Sequence, residues 1–211
     1  IAAVDAPTVR IIKPLADHDI ILEQIDFAVR HGAVAVGVDI DHIANKDGGY
    51  DVVDGQPLGP VMLADLNAYV KAARVPFVAK GVLSVSDALK ARDAGCKAVL
   101  VSHHHGRIPF GIPPTAILPR IKEALQGSGM MIFCDCGLDT GYDAYKALAL
   151  GADAVAVGRG ILAPLLKEGT EGDVRKIRQM NEQLSELMLY TGIKDTASFD
   201  SSIIHPSVSV Q

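Results

Sequence analysis

Short runs of apolar, largely β-branched residues recur along the chain, and stretches with apolar residues at helical spacing lie between them. The runs are apolar throughout, which is typical of strands covered on both faces or closed into a barrel. Six strands are predicted, at 9–13, 33–39, 77–80, 98–102, 131–135 and 154–158. Six helices are predicted, at 19–31, 63–73, 86–94, 114–125, 142–150 and 171–190. Alternation of strand and helix predicts a parallel sheet.

Three segments share one repeated pattern, in which a glycine that ends a helix precedes a buried strand. They are 32–39, 95–102 and 151–158. Such repeats are typical of successive βα units, and six units fit either an open doubly wound sheet or part of a (β/α)8 barrel. A full barrel needs about 250 residues, so a chain of 211 residues is short for one. The Gly-rich segment 43–60 is expected to be a functional loop without regular structure.

Composition narrows the class of protein. Apolar residues make up 49% of the chain, enough for a sizeable core, and the net charge of −5 argues against a nucleic-acid partner. No apolar run approaches the roughly 18 residues of a membrane span, and no signal peptide is recognisable. Three cysteines suit reduced thiols in the cytoplasm. Cys134 and Cys136 do not form a zinc pattern by themselves, and no metal is expected.

Polar and titratable residues follow the predicted strands. Because parallel strands share one direction, these side chains are expected at a single rim, where active sites of α/β proteins lie. They are Asp39, Asp41, Lys80, Ser102, His103, His104, Asp135 and Arg159.

Residue types alone leave the chemistry of this rim open. One of the histidines at 103–105 suits a general base backed by a carboxylate, although a His-rich surface loop gives the same pattern. Three interpretations fit Lys80: a buried cation beside an anionic cofactor, a Schiff-base lysine, or an ordinary strand-end lysine. The glycine turns 137–141 and 158–160 precede helices and suit a phosphate, with Arg159 as a charged contact, but ordinary turns look the same.

The spacing of five motifs resembles the FMN-dependent α-hydroxy-acid oxidases and dehydrogenases. The motifs are Lys80-Gly81, Ser102-x-His104-x-Gly106-Arg107, Asp135-x-Gly137, the run 146–152 and Gly158-Arg159. The resemblance covers about 9–197 and implies a (β/α)8 barrel with FMN at its C-terminal rim. On that template the chain supplies about six βα units, with residues 1–195 as the FMN-binding partial barrel and 196–211 as a C-terminal tail.

The resemblance also implies roles for individual residues. His104 would take a proton from the substrate, Asp39 would be its carboxylate partner, and Arg107 would hold the substrate carboxylate. Lys80 would lie beside the flavin and favour its anionic reduced form. The cofactor-binding residues would be Lys80, Ser102, Asp135, Gly137, Gly158 and Arg159.

Several positions depart from the family pattern. His103 and His105 stand where the family has Asn and Gly, and Cys136 replaces a glycine. Asp139 stands where an arginine helps to hold the phosphate, and it would repel a phosphate. At the first strand Ile11 and Lys13 replace the family's Gln and Tyr, and Gly37 replaces a threonine near the flavin. These departures are expected to alter the substrate pocket and the affinity for the cofactor, and His103 and His105 are the positions expected to make the substrate different.

The predicted function is FMN-dependent oxidation of a small, lactate- or glycolate-like 2-hydroxy acid to the 2-oxo acid. Two alternatives stay open: a phosphate- or flavin-binding barrel without catalysis, and another phosphate-binding barrel enzyme, such as an isomerase that uses Lys80 or His104. A barrel with two units missing would expose two sheet edges. A homo-oligomer or a complementing N-terminal segment is therefore expected.

Overall fold

A computed structural model describes residues 6–205, in which strands and helices alternate. The strands are β1 (Val9–Ile12), β2 (Ala35–Asp39), β3 (Val52–Val53), β4 (Gln56–Pro57), β5 (Phe77–Val82), β6 (Ala98–Val101), β7 (Met131–Cys134) and β8 (Ala154–Val155). The helices are α1 (His18–Arg30), α2 (Leu63–Ala73), α3 (Val85–Asp93), α4 (Pro114–Ala124), α5 (Gly141–Ala149) and α6 (Arg159–Thr191). A short 3-10 helix follows at Ser201–Ile203.

Six parallel strands form one sheet in the order β1-β2-β5-β6-β7-β8. Each strand of this sheet pairs with the one that follows it in sequence. A doubly wound sheet reverses its strand order at a switch point, whereas a (β/α)8 barrel adds strands in one direction. The order therefore identifies six units of a (β/α)8 barrel and removes the doubly wound alternative.

The two faces of the sheet pack differently. Alternate strand residues such as Val36 and Val38 point to the helices and join the main core, which includes Ile21 of α1 and Leu118 of α4. Intervening residues form a second, smaller cluster that contains no helix residue: Ala35, Val78, Ala98 and Leu100, with Ile11 and Phe133 packed against them. Because successive strand residues face opposite sides, this second cluster marks the inner side of the barrel.

Side-chain caps fix where three of the helices begin. The oxygens of Asp17, Ser84 and Thr140 accept backbone N–H groups in the first turns of α1, α3 and α5. Such caps satisfy amide groups that have no partner within the helix. They explain why these helices start where an Asp, Ser or Thr precedes the apolar pattern.

Three elements differ from the sequence-based expectation. Segment 43–60 is not without regular structure, because β3 and β4 form an antiparallel hairpin, and Leu58 is buried and bridges Leu15. Helix α6 begins at Arg159 instead of residue 171 and contains a non-helical residue, Gly169, which interrupts the apolar periodicity. Strand β8 has two residues, Ala154 and Val155, instead of five.

Both ends of the sheet are open within the described residues: no strand of 6–205 pairs with the outer edge of β1 or β8. Large apolar side chains are exposed beside these edges, namely Val9 and Phe27 near β1 and Leu162 and Leu166 on α6. None of the helices in this part of the chain has the length and apolarity needed to cross a bilayer.

The C-terminal segment packs on the barrel through one aromatic contact. The rings of Phe199 and Tyr145 meet edge to face, with their centroids 5.1 Å apart. The domain boundary at residue 195 stays a prediction.

Candidate active site

Strand pairing brings the first two charged residues of the rim together. Asp39 of β2 and Lys80 of β5 are register partners, and Lys80 Nζ donates to Asp39 Oδ1 over 2.8 Å. Directly after Lys80 the register of β5 shifts at Gly81, which has a φ of +96°. A Cβ atom on Gly81 would lie 2.4 Å from the carboxyl carbon of Asp41. Glycine is therefore needed here both for its backbone conformation and to leave room for Asp41.

A second lysine reaches the same carboxylate. Lys13, just after β1, donates to Asp39 Oδ2 over 2.6 Å. Burial alone would raise the pKa of Asp39, but the charges and hydrogen bonds of Lys80 and Lys13 outweigh it and hold that pKa below its usual value. Asp39 is therefore a buried, ionised carboxylate neutralised by two ammonium groups.

Asp41 is the carboxylate nearest to His104, and Asp39, the expected partner, lies further away. His104 Nδ1 lies 2.8 and 2.9 Å from the two Asp41 oxygens, whereas Nε2 lies 3.6 Å from Asp39 Oδ2. The physical reason is that both oxygens of Asp39 are already bonded to lysines. Asp41 lies two residues beyond Asp39, just past the end of β2.

Arg107 is held by a carboxylate from the hairpin segment. One guanidinium nitrogen, Nη2, donates to Asp51 Oδ2, and His42 Nε2 lies 3.0 Å from the same oxygen. The other ring nitrogen of His42, Nδ1, lies 3.0 Å from Lys13 Nζ. A continuous chain of hydrogen bonds therefore runs from Lys13 through His42 and Asp51 to Arg107.

Eight ionisable side chains thus form one connected group, which we call the ionic rim. Its members are Lys13, Asp39, Asp41, His42, Asp51, Lys80, His104 and Arg107. The motif spacing points to His104, Arg107, Lys80 and Asp39 but assigns no role to His42 or Asp51. The expectation that segment 43–60 is functional was the only sequence signal toward Asp51.

Three residues of the ionic rim offer ligand atoms within 4.8 Å of one another: Asp39, His42 and His104. The two ammonium groups bonded to Asp39 occupy the place of a cation and would repel a metal ion. We assign no metal to this group.

His104 also borders a pocket of about 490 Å³, which we call the glycine pocket. Its other lining residues include Lys80, Asp135, Gly137, Asp139, Gly158 and Arg159. The structure therefore brings together five of the six residues expected to bind the cofactor. The pocket lies beside the ends of β7 and β8, where Gly158 is the residue before α6.

Ser102, the sixth of these residues, lies beneath the pocket instead of lining it. It is fully buried, and its hydroxyl lies 3.4 Å from Cys136 Sγ and accepts the backbone N–H of His104 over 3.3 Å. Burial and a hydrogen bond to Asp135 raise the pKa of the Cys136 thiol. His105 and Cys136 have positive φ angles of 58° and 71°. The family pattern has glycine at both positions, and glycine adopts positive φ more readily than other residues.

Family comparison agrees with this geometry. The model of the FMN-dependent dehydrogenase family matches residues 44–206, which is more than half of the chain. The chain belongs to the FMN-dependent dehydrogenase family. Half of the eight members of the ionic rim precede the matched region: Lys13, Asp39, Asp41 and His42.

The curated members of the family that match this chain are longer proteins. An L-lactate oxidase of Roseobacter sp. (strain GAI101) is 31% identical over 160 residues, which are 75% of this chain and 43% of that protein. Human 2-hydroxyacid oxidase 1 is 36% identical over 141 residues, 66% of this chain and 38% of that protein. The chain spans less than half the length of these curated relatives.

Solved structures of the family share the fold. A mandelate oxidase bound to 3,3-difluoro-2-hydroxy-3-phenylpropionic acid superimposes with a TM-score of 0.84 at 27% identity, over 93% of this chain and 62% of that one. A mandelate oxidase mutant with a monooxide FMN adduct gives a TM-score of 0.83 at 27% identity, over 95% of this chain and 63% of that one. These likenesses confirm the partial (β/α)8 barrel.

Proposed function

We propose that the chain carries the active site of an FMN-dependent oxidoreductase that converts a small, lactate- or glycolate-like 2-hydroxy acid into the 2-oxo acid. The observation that supports this most directly is the position of His104, which belongs to the ionic rim and also borders the glycine pocket. A base at that boundary shares the ionic rim with a cation, Arg107, and borders a pocket of a size that suits a cofactor. Family membership supports the same assignment.

The glycine pocket fits FMN in part. Apart from the adjacent residues of the chain, no atom lies within 4 Å of a Cβ built on Gly137 or Gly158, so a phosphate can approach the backbone there. The N-terminus of α6 and the Arg159 side chain favour an anion at this place. Asp139 lines the same pocket and opposes a phosphate by charge. We therefore expect FMN to bind, with the Asp139 carboxylate lowering its affinity.

The residues of the ionic rim supply the proton chemistry. A bound FMN would supply the acceptor for the two electrons that leave the hydroxy acid. Because His104 Nδ1 is engaged by Asp41, Nε2 is the nitrogen that takes the substrate proton. The Asp41 carboxylate then stabilises the imidazolium, while Arg107 holds the substrate carboxylate in place. Lys80 places a positive charge at the border of the pocket.

The test is flavin binding followed by flavin reduction. We expect the purified protein to take up FMN, seen as the visible absorbance of oxidised flavin, and lactate or glycolate to bleach it without oxygen. His104→Ala should slow this reduction about 10²-fold or more. His31→Ala is the matched control, since His31 follows the C-terminus of α1, at the end of the strands opposite to the ionic rim. Reduction by His104→Ala at the unaltered rate would show that His104 is not the base.

Other outcomes separate the alternatives. FMN binding without reduction by any hydroxy acid would favour a barrel that binds the cofactor without this catalysis. Turnover of a phosphorylated compound in the absence of flavin would favour an isomerase. A colourless protein that binds no FMN would contradict the proposal.

The open sheet edges support a proposal about assembly. We expect either a second copy of the chain or a complementing N-terminal segment to cover β1 and β8, because exposed edges flanked by apolar side chains favour association. A monodisperse monomer in light scattering, with an intact mass of 22.3 kDa, would contradict this. The three free thiols support a reducing compartment, and we propose the cytoplasm.

A further inference from the structure

His42 lies between Lys13 and the Asp51 carboxylate that holds Arg107. It is 7% exposed, and its two ring nitrogens meet Lys13 on one side and Asp51 on the other, each at 3.0 Å. Asp51 in turn bonds Arg107. The hydrogen-bond partners fix the form of the ring: a lysine ammonium only donates, so Nδ1 accepts from Lys13, and Nε2–H donates to Asp51.

Both cations keep donors that the ionic rim does not use. Lys13 has three N–H groups and two acceptors, Asp39 and His42. Arg107 uses Nη2 for Asp51, and no other side chain in residues 6–205 accepts from its guanidinium group. The Lys13 and Arg107 side chains are 35% and 42% exposed, so both reach the open rim.

Lys13 lies beside the proposed base. Its Nζ and His104 Nε2 contact the same oxygen, Asp39 Oδ2, at 2.6 and 3.6 Å. A substrate whose hydroxyl faces His104 therefore has Lys13 within reach.

We propose that His42 is a positioning residue that holds Lys13, and through Asp51 also Arg107, as a pair of cationic contacts for the substrate carboxylate. This inference rests on the proposed function, because it concerns the same substrate. Lys13 thereby becomes a second binding residue, and the recognised group is a carboxylate that meets two cations from opposite ends of one hydrogen-bonded chain.

The charges around His42 support a neutral ring. Burial lowers its pKa, and although the hydrogen bond to Asp51 acts in the opposite direction, the nearby Lys13, Arg107 and His104 add to the lowering. Protonation would place an N–H at Nδ1 against the Lys13 ammonium and break the bridge. Carboxylate binding should therefore weaken as the pH falls through the His42 pKa, below the ordinary value of about 6.5.

The experiment measures binding of oxalate, a carboxylate without a hydroxyl, to the FMN-loaded protein by the change in flavin absorbance. Two variants separate the two ends of His42. His42→Asn keeps an acceptor near Nδ1 for Lys13, and His42→Gln keeps a donor near Nε2 for Asp51. We expect Lys13→Met and His42→Ala each to weaken oxalate binding about tenfold, which corresponds to the loss of one charge-assisted hydrogen bond. His42→Asn and His42→Gln should each bind oxalate more tightly than His42→Ala, because each keeps one of the two contacts.

Coupling between the two sites decides whether His42 acts through Lys13. In a Lys13→Met background, His42→Gln should weaken binding no further, because the contact that it removes is already lost. Independent losses from the two changes would overturn the proposal. Asn and Gln variants that lose the pH dependence of binding below pH 6.5 would support it, and an unaltered acid dependence would overturn it.

A measurement on the unsubstituted protein avoids any folding defect in the variants. Nitrogen-15 NMR of labelled histidine should show His42 protonated at Nε2 at neutral pH, and the Nδ1-protonated form would overturn the proposal. Failure of the proposed oxidation is separately visible: the flavin would stay oxidised with hydroxy acids, while oxalate binding still tests the roles of Lys13 and His42.

Discussion

The ionic rim and the glycine pocket meet at His104 and Lys80, but they are built in different ways. The rim consists of side chains that bond one another across β1, β2, β5, the hairpin segment and the loop after β6. The pocket offers open backbone at Gly137 and Gly158, with few side-chain contacts. The rim is thus held together by its own hydrogen bonds, whereas the pocket presents accessible backbone groups. Substitutions in the two regions should have separable effects.

The largest separation is expected for Asp41→Asn. Loss of the carboxylate removes the charge that stabilises protonated His104, so flavin reduction should slow about 10²-fold. FMN affinity should stay within about twofold, because Asp41 does not line the glycine pocket. Stopped-flow reduction and FMN titration of one preparation measure both. Equal losses in the two quantities would break the distinction between the regions.

A large effect on stability is expected for Asp39→Asn. The change leaves the ammonium group of Lys80, whose side chain is 14% exposed, without its ionic partner, and should cost about 2–3 kcal/mol of the free energy of unfolding. Asp26→Asn is the matched control, because the Asp26–Arg30 pair is exposed and should contribute less than about 0.5 kcal/mol. Urea denaturation measures both variants. Equal losses in the free energy of unfolding for the two variants would show that the buried ion pair contributes no more to stability than the exposed one.

The pH dependence of stability should report on the same side chains. The pKa values of Asp39 and His42 are both lower in the folded chain than in the unfolded one. Between the folded and unfolded values the unfolded chain binds more protons, so stability is lost as the pH falls. The His42 part begins near pH 6.5 and the Asp39 part near pH 4. Denaturation at about pH 7.5, 5.5 and 3 should show both losses, and Asp39→Asn should reduce the second, to which Asp51 also contributes because its pKa is lowered too.

The smallest expected effect lies in the glycine pocket. Asp139→Asn removes a negative charge from its lining and should tighten FMN binding about threefold at low salt, with less gain at high salt. Asp93→Asn changes the net charge equally but lies at the end of α3, on the opposite side of the sheet. Fluorescence titration of FMN compares them. A gain of the same size in both variants would indicate a general charge effect.

Much of the fold was predictable because it depends on local pattern. Apolar runs and helical spacing gave six parallel strands and their helices, since each βα unit repeats the same rule. Helix α6 was predicted too short because Gly169 breaks the periodicity, and the hairpin of β3 and β4 was missed because its strands have two residues each.

The site was predictable where motif spacing sets positions along the chain. Lys80 and His104 came from strand ends, and their neighbours from the family pattern. The pairing of His104 with Asp41 was not predictable from the sequence, because the choice between two nearby carboxylates depends on Lys13 and Lys80 already bonding Asp39. Asp51 lies nine residues beyond His42 on a hairpin, and only the folded chain brings it to Arg107.

The outer edge of β8 has a thermodynamic consequence. The glycine pocket lies beside this strand, and the residue before α6 forms part of its lining. A chain that pairs with β8 would therefore lie next to the pocket. Cofactor binding and edge pairing are then linked: if pairing tightens FMN by some factor, FMN strengthens the pairing by the same factor. FMN binding would then favour the assembled protein. Dilution of the FMN-loaded protein, which dissociates the pairing, should release flavin.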